Sequence, residues 1–170
     1  MEIYLVRHAV AQQLGQKNEF TDEKRSLTSQ GRERMREIAR GLKRLGVVPD
    51  LIMTSSLVRA VETGAILAET LGLDQKQIRT SDALAPGGSF DELFTELKQQ
   101  KRTESVALVG HEPDLSSLIS RIVCADGNGN LSVPLKKGGV CCINVAETVP
   151  AFKGSLIWLL TPKHLRLLGR

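Results

Sequence analysis

The chain has 170 residues, 41% of them hydrophobic, enough to bury one core of ordinary size and too little for two. Its 23 Lys and Arg against 19 Asp and Glu leave a net charge of +4, which suits anionic partners, while 4 Phe, 1 Trp and 1 Tyr offer no base-stacking surface and exclude a nucleic-acid reader. The 3 cysteines, Cys124, Cys141 and Cys142, form no spaced pair, so neither a disulfide framework nor a zinc site is indicated; with no basic leader and no membrane-length apolar run, a cytoplasmic protein is expected.

In chain order, an apolar run over residues 2–6 reads as a buried strand and ends in Arg7-His8. Ligands of open α/β sheets bind beyond the carboxyl ends of the strands, so this pair points at an anionic substrate, although taken alone it also fits a solvated strand end. Residues 10–27 lack periodicity. They include Gln12, Gln13, Gly15, Gln16, Lys17 and Asn18 and close on Asp22-Glu23-Lys24-Arg25, a long loop beside a strand end in which Arg25 either reaches the site or is a solvated charge.

From Thr28, a predicted N-cap, Met35, Ile38, Ala39, Leu42 and Leu45 recur at helical spacing up to Gly46. The other face carries Arg32, Arg34, Arg36, Arg40, Lys43 and Arg44, either a solvated surface or a docking face for an acidic protein. A short strand is predicted over 51–53, and Thr54-Ser55-Ser56 is expected to cap a second helix that stops at Gly72. Arg59 lies in its first turn, where it reinforces a natural anion site or merely lies over the helix start.

A brief strand is expected over 78–80 and a turn over 84–88, followed by a Ser89/Glu92 capping box. Asp91 and Glu92 there are helix-dipole partners or proton donors. Residues 105–109 form the clearest buried strand and lead into Gly110-His111-Glu112-Pro113-Asp114, with Pro113 fitting the first position of the next helix. Beyond a predicted turn at 126–130, strands over 139–145 and 155–160 suggest an antiparallel edge. Adjacent Cys141 and Cys142 should face opposite sides of it, and His164 is read as surface in a basic tail.

The alternation predicts an α/β fold, a three-layer α/β/α sandwich with a mainly parallel sheet and an antiparallel C-terminal edge, its rim carrying Arg7, His8, Arg59 and His111. Two arginines and two histidines without clustered carboxylates make a poor divalent-metal site and a good phosphate site, because guanidinium forks match phosphate oxygens. A neutral imidazole is also a competent nucleophile toward phosphorus. No cofactor is expected.

In this order and spacing, Arg7-His8-Ala9, Arg25-Ser26-Leu27-Thr28 with Gly31, Ser55-Ser56-Leu57-Val58-Arg59-Ala60-Val61-Glu62-Thr63 and Val109-Gly110-His111 resemble the histidine phosphatase superfamily, also called phosphoglycerate-mutase-like, and within it the compact SixA type. Ala9 replaces a commoner glycine. The resemblance spans essentially the whole chain and implies a single domain over 1–170. It implies that His8 is the nucleophile, that Arg7, Arg59 and His111 hold the phosphoryl oxygens, and that Arg25 is an auxiliary phosphate or substrate contact. His8 must then be neutral at one ring nitrogen with the other held by a backbone acceptor. The expected partner is a phosphohistidine-containing protein of signalling or phosphotransfer type, since an imidazole leaving group, with a pKa of about 6.5, needs little help from an enzymatic acid. Asp91, Glu92 and Glu112 are available as donors, and no spacing selects one. The alternatives are a small-molecule phosphomonoesterase of the same superfamily and a non-catalytic phosphate-binding module.

Overall fold

The computed structural model describes residues 1–15, 21–100, 103–124, 129, 131–147 and 152–170. Gln16, Lys17 and Asn18 of the predicted loop, and all but residue 129 of the predicted 126–130 turn, lie outside the described residues. Six strands, β1 (Glu2–Arg7), β2 (Leu51–Thr54), β3 (Ile78–Thr80), β4 (Ser105–Gly110), β5 (Val140–Glu147) and β6 (Lys153–Leu160), form one sheet in the order β3-β2-β4-β1-β5-β6. The first four pair in parallel; β5 runs antiparallel to both β1 and β6, as the expected C-terminal edge.

Helices α1 (Ser29–Arg44), α2 (Val58–Leu71) and α5 (Pro162–Leu168) cover one face, packing Met35, Ile38, Leu42, Leu67 and Leu165 with Tyr4, Val6, Ile52, Ala107 and Val109. Helices α3 (Phe90–Gln99) and α4 (Asp114–Val123) cover the other with Ile3, Leu5, Met53, Val106 and Leu108. Because β1 and β4 are buried on both faces, their sequences are continuous apolar runs rather than alternating ones. Cys141 and Cys142 fall in opposite core layers, as their adjacency requires.

The helix boundaries follow local chemistry. Thr28 Oγ1 accepts from Gly31 N–H at 2.8 Å, and α2 ends on Gly72 at φ 84°, a left-handed conformation that glycine adopts without a Cβ clash. Ser89 Oγ accepts from Glu92 N–H at 3.3 Å, the first half of the predicted capping box. Three expectations need correction. Thr54 belongs to β2 and Leu57 is the N-cap residue of α2, so Thr54-Ser55-Ser56 do not cap it. Pro113 is the N-cap of α4, one position earlier than expected, after a cis Glu112–Pro113 peptide bond. The basic tail is helical: α5 docks on α1 through buried Leu165, while His164 stays exposed as read.

That docking uses part of the basic face of α1. Arg40 Nε donates to Gly169 O at 3.1 Å, Arg44 donates to the carbonyls of Leu168 and Arg170, and Arg166 pairs with Glu37. Guanidinium groups at the last turn of α5 satisfy carbonyls that the helix itself leaves open. Among the described residues no helix is long and apolar enough to cross a membrane.

Gly41 makes the α1–α5 contact possible, because a Cβ there would run into the Leu165 carbonyl. Gly41→Val is therefore expected to lift α5 and destabilize the fold by about 1–3 kcal/mol. Urea unfolding beside wild type measures this, and an unchanged midpoint would show that α5 docking contributes nothing.

Candidate active site

Strand ends bring the predicted residues together. β1 delivers Arg7 and then His8; β4, its parallel neighbour, delivers Gly110 and then His111. His8 N–H donates to Gly110 O at 3.1 Å, so the two strand ends are tied at the point where their side chains emerge. The His8 and His111 rings lie with centroids 5.1 Å apart. Arg59, in the first turn of α2, is only 5% exposed, and its charge, like that of Arg7, acts on both rings.

His8 Nδ1 is 2.7 Å from its neighbour's carbonyl, Ala9 O. A carbonyl can only accept, so Nδ1 carries the hydrogen and Nε2 keeps a free lone pair. Burial, and then the His111, Arg59 and Arg7 charges, outweigh the Ala9 hydrogen bond and push the His8 pKa down to about 3. Burial and Arg59 push His111 down to about 4 against a smaller opposing effect of Asp22. Both rings are neutral at pH 7.

Around His8 stand nitrogens with no partner. Arg7 Nε, Arg59 Nε and His111 Nδ1 are all buried and unbonded. The far sides of these groups are held: Arg7 Nη1 donates to Leu135 O at 2.6 Å, Arg59 Nη1 to Asp22 O at 2.7 Å, and His111 Nε2 meets Ser55 Oγ at 2.8 Å. Ser55 Oγ also accepts from Leu57 N–H at 3.2 Å, and with one hydrogen and a second lone pair left it can hold His111 Nε2 as donor or as acceptor. Unpaired buried N–H groups such as the two arginine Nε are costly, and an oxyanion bound beside them would satisfy them.

The remaining motif residues lock these parts in register. Thr63 Oγ1 donates to Arg59 O at 2.6 Å and accepts from Ala9 N–H at 3.1 Å, joining α2 to the His8 loop. Glu62 accepts from Leu27 N–H at 2.7 Å and pairs with Arg32 at 2.5 Å, joining α2 to the segment that carries Arg25. Arg25 is tied by Nε to Gln12 O at 2.8 Å and by Nη1 to Asp22 Oδ1 at 2.6 Å, so Asp22 links it to the two imidazoles' surroundings.

Asp22 is the residue that sequence reasoning missed. Its carboxylate bridges Arg25 and Arg59, the latter at 2.8 Å. Partial burial raises its pKa, but the hydrogen bonds and charges of Arg59 and Arg25 prevail and hold it below the ordinary value. An acid three residues before Arg25 was visible as a sequence feature; its pairing with Arg59, 37 residues away, was not. The candidate donors stand elsewhere or are committed. Asp91 pairs with Arg121 at 2.5 Å and lines an exposed groove with Glu92. Glu112 accepts from Leu135 N–H and from Ser116 Oγ, each at 2.7 Å. Among the described residues no group of three His, Cys, Asp or Glu side chains is arranged to hold a metal ion.

Buried, unpartnered nitrogens beside a neutral imidazole, beyond the carboxyl ends of parallel strands, lie where the open α/β class of proteins binds its ligands. Comparison narrows this to a family. The model of the histidine phosphatase superfamily (branch 1) matches residues 3–85, which hold Arg7, His8, Arg25 and Arg59 but end before His111. An uncharacterized protein of Picosynechococcus sp. is 32% identical over 169 residues, 97% of this chain and 99% of its own. The protein histidine phosphatase SixA, solved with tungstate, superposes with a TM-score of 0.83 at 21% identity, covering 97% of this chain and 99% of that one. The alpha-ribazole phosphatase of Shigella flexneri does so at 0.69 and 17% identity, covering 95% and 97%. The chain belongs to the histidine phosphatase superfamily and has the phosphoglycerate-mutase-like fold of SixA.

Two outcomes follow from this electrostatic arrangement. Unfolded histidines bind protons below about pH 6.5 while His8 and His111 in the fold do not, so stability is complete at pH 7 and falls as pH drops toward 4, by at most about 1.4 kcal/mol per pH unit for each ring. Denaturant unfolding at pH 7, 6 and 5 should show the loss, and His8→Gln should reduce it; a flat profile would mean that the rings are protonated in the fold. Asp22→Asn removes a negative charge beside Arg59 and is expected to tighten inorganic phosphate binding several-fold, as calorimetry would read. Weaker binding would mean that Asp22 chiefly orients Arg59.

Proposed function

We propose that residues 1–170 form a single phosphatase domain, working without a metal ion, that removes the phosphoryl group from phosphohistidine of a signalling or phosphotransfer protein. One observation carries the reading: beside a neutral His8 whose Nε2 lone pair is free, the buried Arg7 Nε, Arg59 Nε and His111 Nδ1 have no partner, and the reading puts the His111 proton on Nδ1. In this mechanism His8 Nε2 forms a bond to phosphorus as the phosphorus–nitrogen bond of the substrate breaks, and the leaving imidazole takes a proton from water. Water then attacks phospho-His8, phosphate departs, and Nε2 regains its lone pair. Arg7, Arg59 and His111 stabilize the charge on the equatorial oxygens in both steps, the dominant catalytic effect in phosphoryl transfer. Arg25 is an auxiliary substrate contact, acting beside Asp22.

An imidazole leaving group suits a site whose Arg59-bound carboxylate, Asp22, is held ionized by two arginines and is a poor acid. The likeness of fold to SixA supports the same substrate class. A second reading, a small-molecule phosphomonoesterase, draws support from the fold shared with the alpha-ribazole phosphatase. A non-catalytic phosphate-binding module would use the donor cage without needing the Nε2 lone pair.

Hydrolysis of a phosphohistidine-bearing phosphotransfer domain, set against a panel of small phosphate monoesters with no added metal, tests the proposal. Preference for phosphohistidine is expected; preference for an ester would replace the substrate and keep the chemistry, and inactivity on both would favour the binding module. His8→Ala should abolish turnover and radiolabel transfer to the protein while leaving the unfolding midpoint near wild type. Arg59→Ala should cost about 2–4 kcal/mol of transition-state stabilization, read in kcat. Normal turnover without His8 would end the covalent mechanism.

A further inference from the structure

Part of the positive charge around the site is left over once the phosphate cage is accounted for. Lys136 and Lys137 sit on a turn closed by Gly139 N–H to Lys136 O at 2.6 Å, with Gly138 at φ 79°. The turn is bound to the site strand in both directions: Gly138 N–H donates to Arg7 O at 3.0 Å and Arg7 N–H to Gly139 O at 3.1 Å. A Cβ on Gly138 would press on Ile38 Cδ1 at 2.7 Å, so the turn is seated against α1. Two lysines are thereby fixed in place next to Arg7 rather than trailing on a loose loop.

Between this turn and α1 lies a pocket of about 220 Å³, walled by Ala9 and Val10, which follow His8, and floored by apolar Met35, Ile38 and Pro162. Its polar lining is entirely cationic: Arg34, Lys136, Lys137 and Arg166. Glu37 neutralizes Arg166, whereas no described carboxylate pairs with Arg34, Lys136 or Lys137. Lys137 also lies within electrostatic reach of Arg7, Arg25 and Arg59, so the pocket and the cage share one positive field. Like charges held together without counter-ions oppose folding, and an arrangement of this kind invites an external anion. Arg34 is thus separated from its neighbours on α1, since Arg40 and Arg44 serve α5 and Arg32 serves Glu62.

We infer that this pocket is a docking site for an acidic segment flanking the phosphohistidine of the substrate protein, an acidic side chain entering between Arg34 and the Lys136-Lys137 turn. The inference rests on the phosphohistidine reading above and adds how the protein around the phosphoryl group is recognized. Charge complementarity at the mouth of the site raises encounter rates and selects partners more than it changes the chemistry. The apolar floor receives the methylene portion of the side chain while the carboxylate meets the cations at the rim.

The test compares three substrates at low and high salt: a phosphohistidine peptide with flanking aspartates, the same peptide with asparagines, and free phosphohistidine. Wild type should prefer the aspartate peptide in kcat/KM by roughly tenfold or more at low salt, and less at high salt. Arg34→Gln combined with Lys136→Gln should remove most of that preference and leave hydrolysis of free phosphohistidine unchanged; Lys137 is kept because its charge also reaches the cage. Equal rates on the two peptides in wild type, or a preference that survives in the double variant, would overturn the docking site alone. Failure of wild type on all three would overturn the phosphohistidine reading and the docking site together.

Discussion

The hydrogen bond from His8 Nδ1 to the Ala9 carbonyl governs the rest of the rim. It fixes the tautomer, and burial among guanidinium groups prevents the ring from taking a second proton, so a lone pair faces inward at any ordinary pH. That condition makes each neighbour intelligible. Thr63 holds the Ala9 amide and thus the loop, Ser55 holds Nε2 of His111 and leaves its Nδ1 unpaired, and Asp22 holds the outer side of Arg59. Polar groups inside the rim have their backs bonded and their fronts unpaired.

Such an arrangement costs stability. Three buried nitrogens without partners each forfeit a hydrogen bond that the unfolded chain makes with water. The two apolar layers offset this, with β1 and β4 buried on both faces and large side chains from five helices packed against them. The strain is confined to the carboxyl ends of the strands, where side chains leave the core and backbone hydrogen bonding between strands stops.

Much of this was legible in the sequence because the strongest signals are local. Apolar runs ending in Arg7-His8 and Gly110-His111, the Thr28 cap and the Gly72 stop each depend on a few consecutive residues, and the sheet with its antiparallel edge follows from their alternation. What escaped depends on long-range pairing. Ser55 reads equally well as a helix cap, and only the approach of β4 to β2 turns it toward His111. Asp22 looks like one charge in a polar loop until Arg59 comes within reach. The C-terminal segment looks like a basic tail because its docking depends on a glycine in another helix, Gly41, and on arginines that read as solvent-facing.

The strand order also dictates when the site can exist during folding. β4 lies between β1 and β2, so when the first hundred residues are available the strands bearing His8 and leading to Arg59 are separated by an empty slot in the sheet. Filling that slot pairs β1 and β2 with the same newcomer and brings His111 with it. Assembly of the rim and closure of the central sheet are therefore one event, dominated by contacts distant in sequence and correspondingly slow. A partly folded chain therefore exposes apolar strand edges before Arg7, His8, Arg59 and His111 have met.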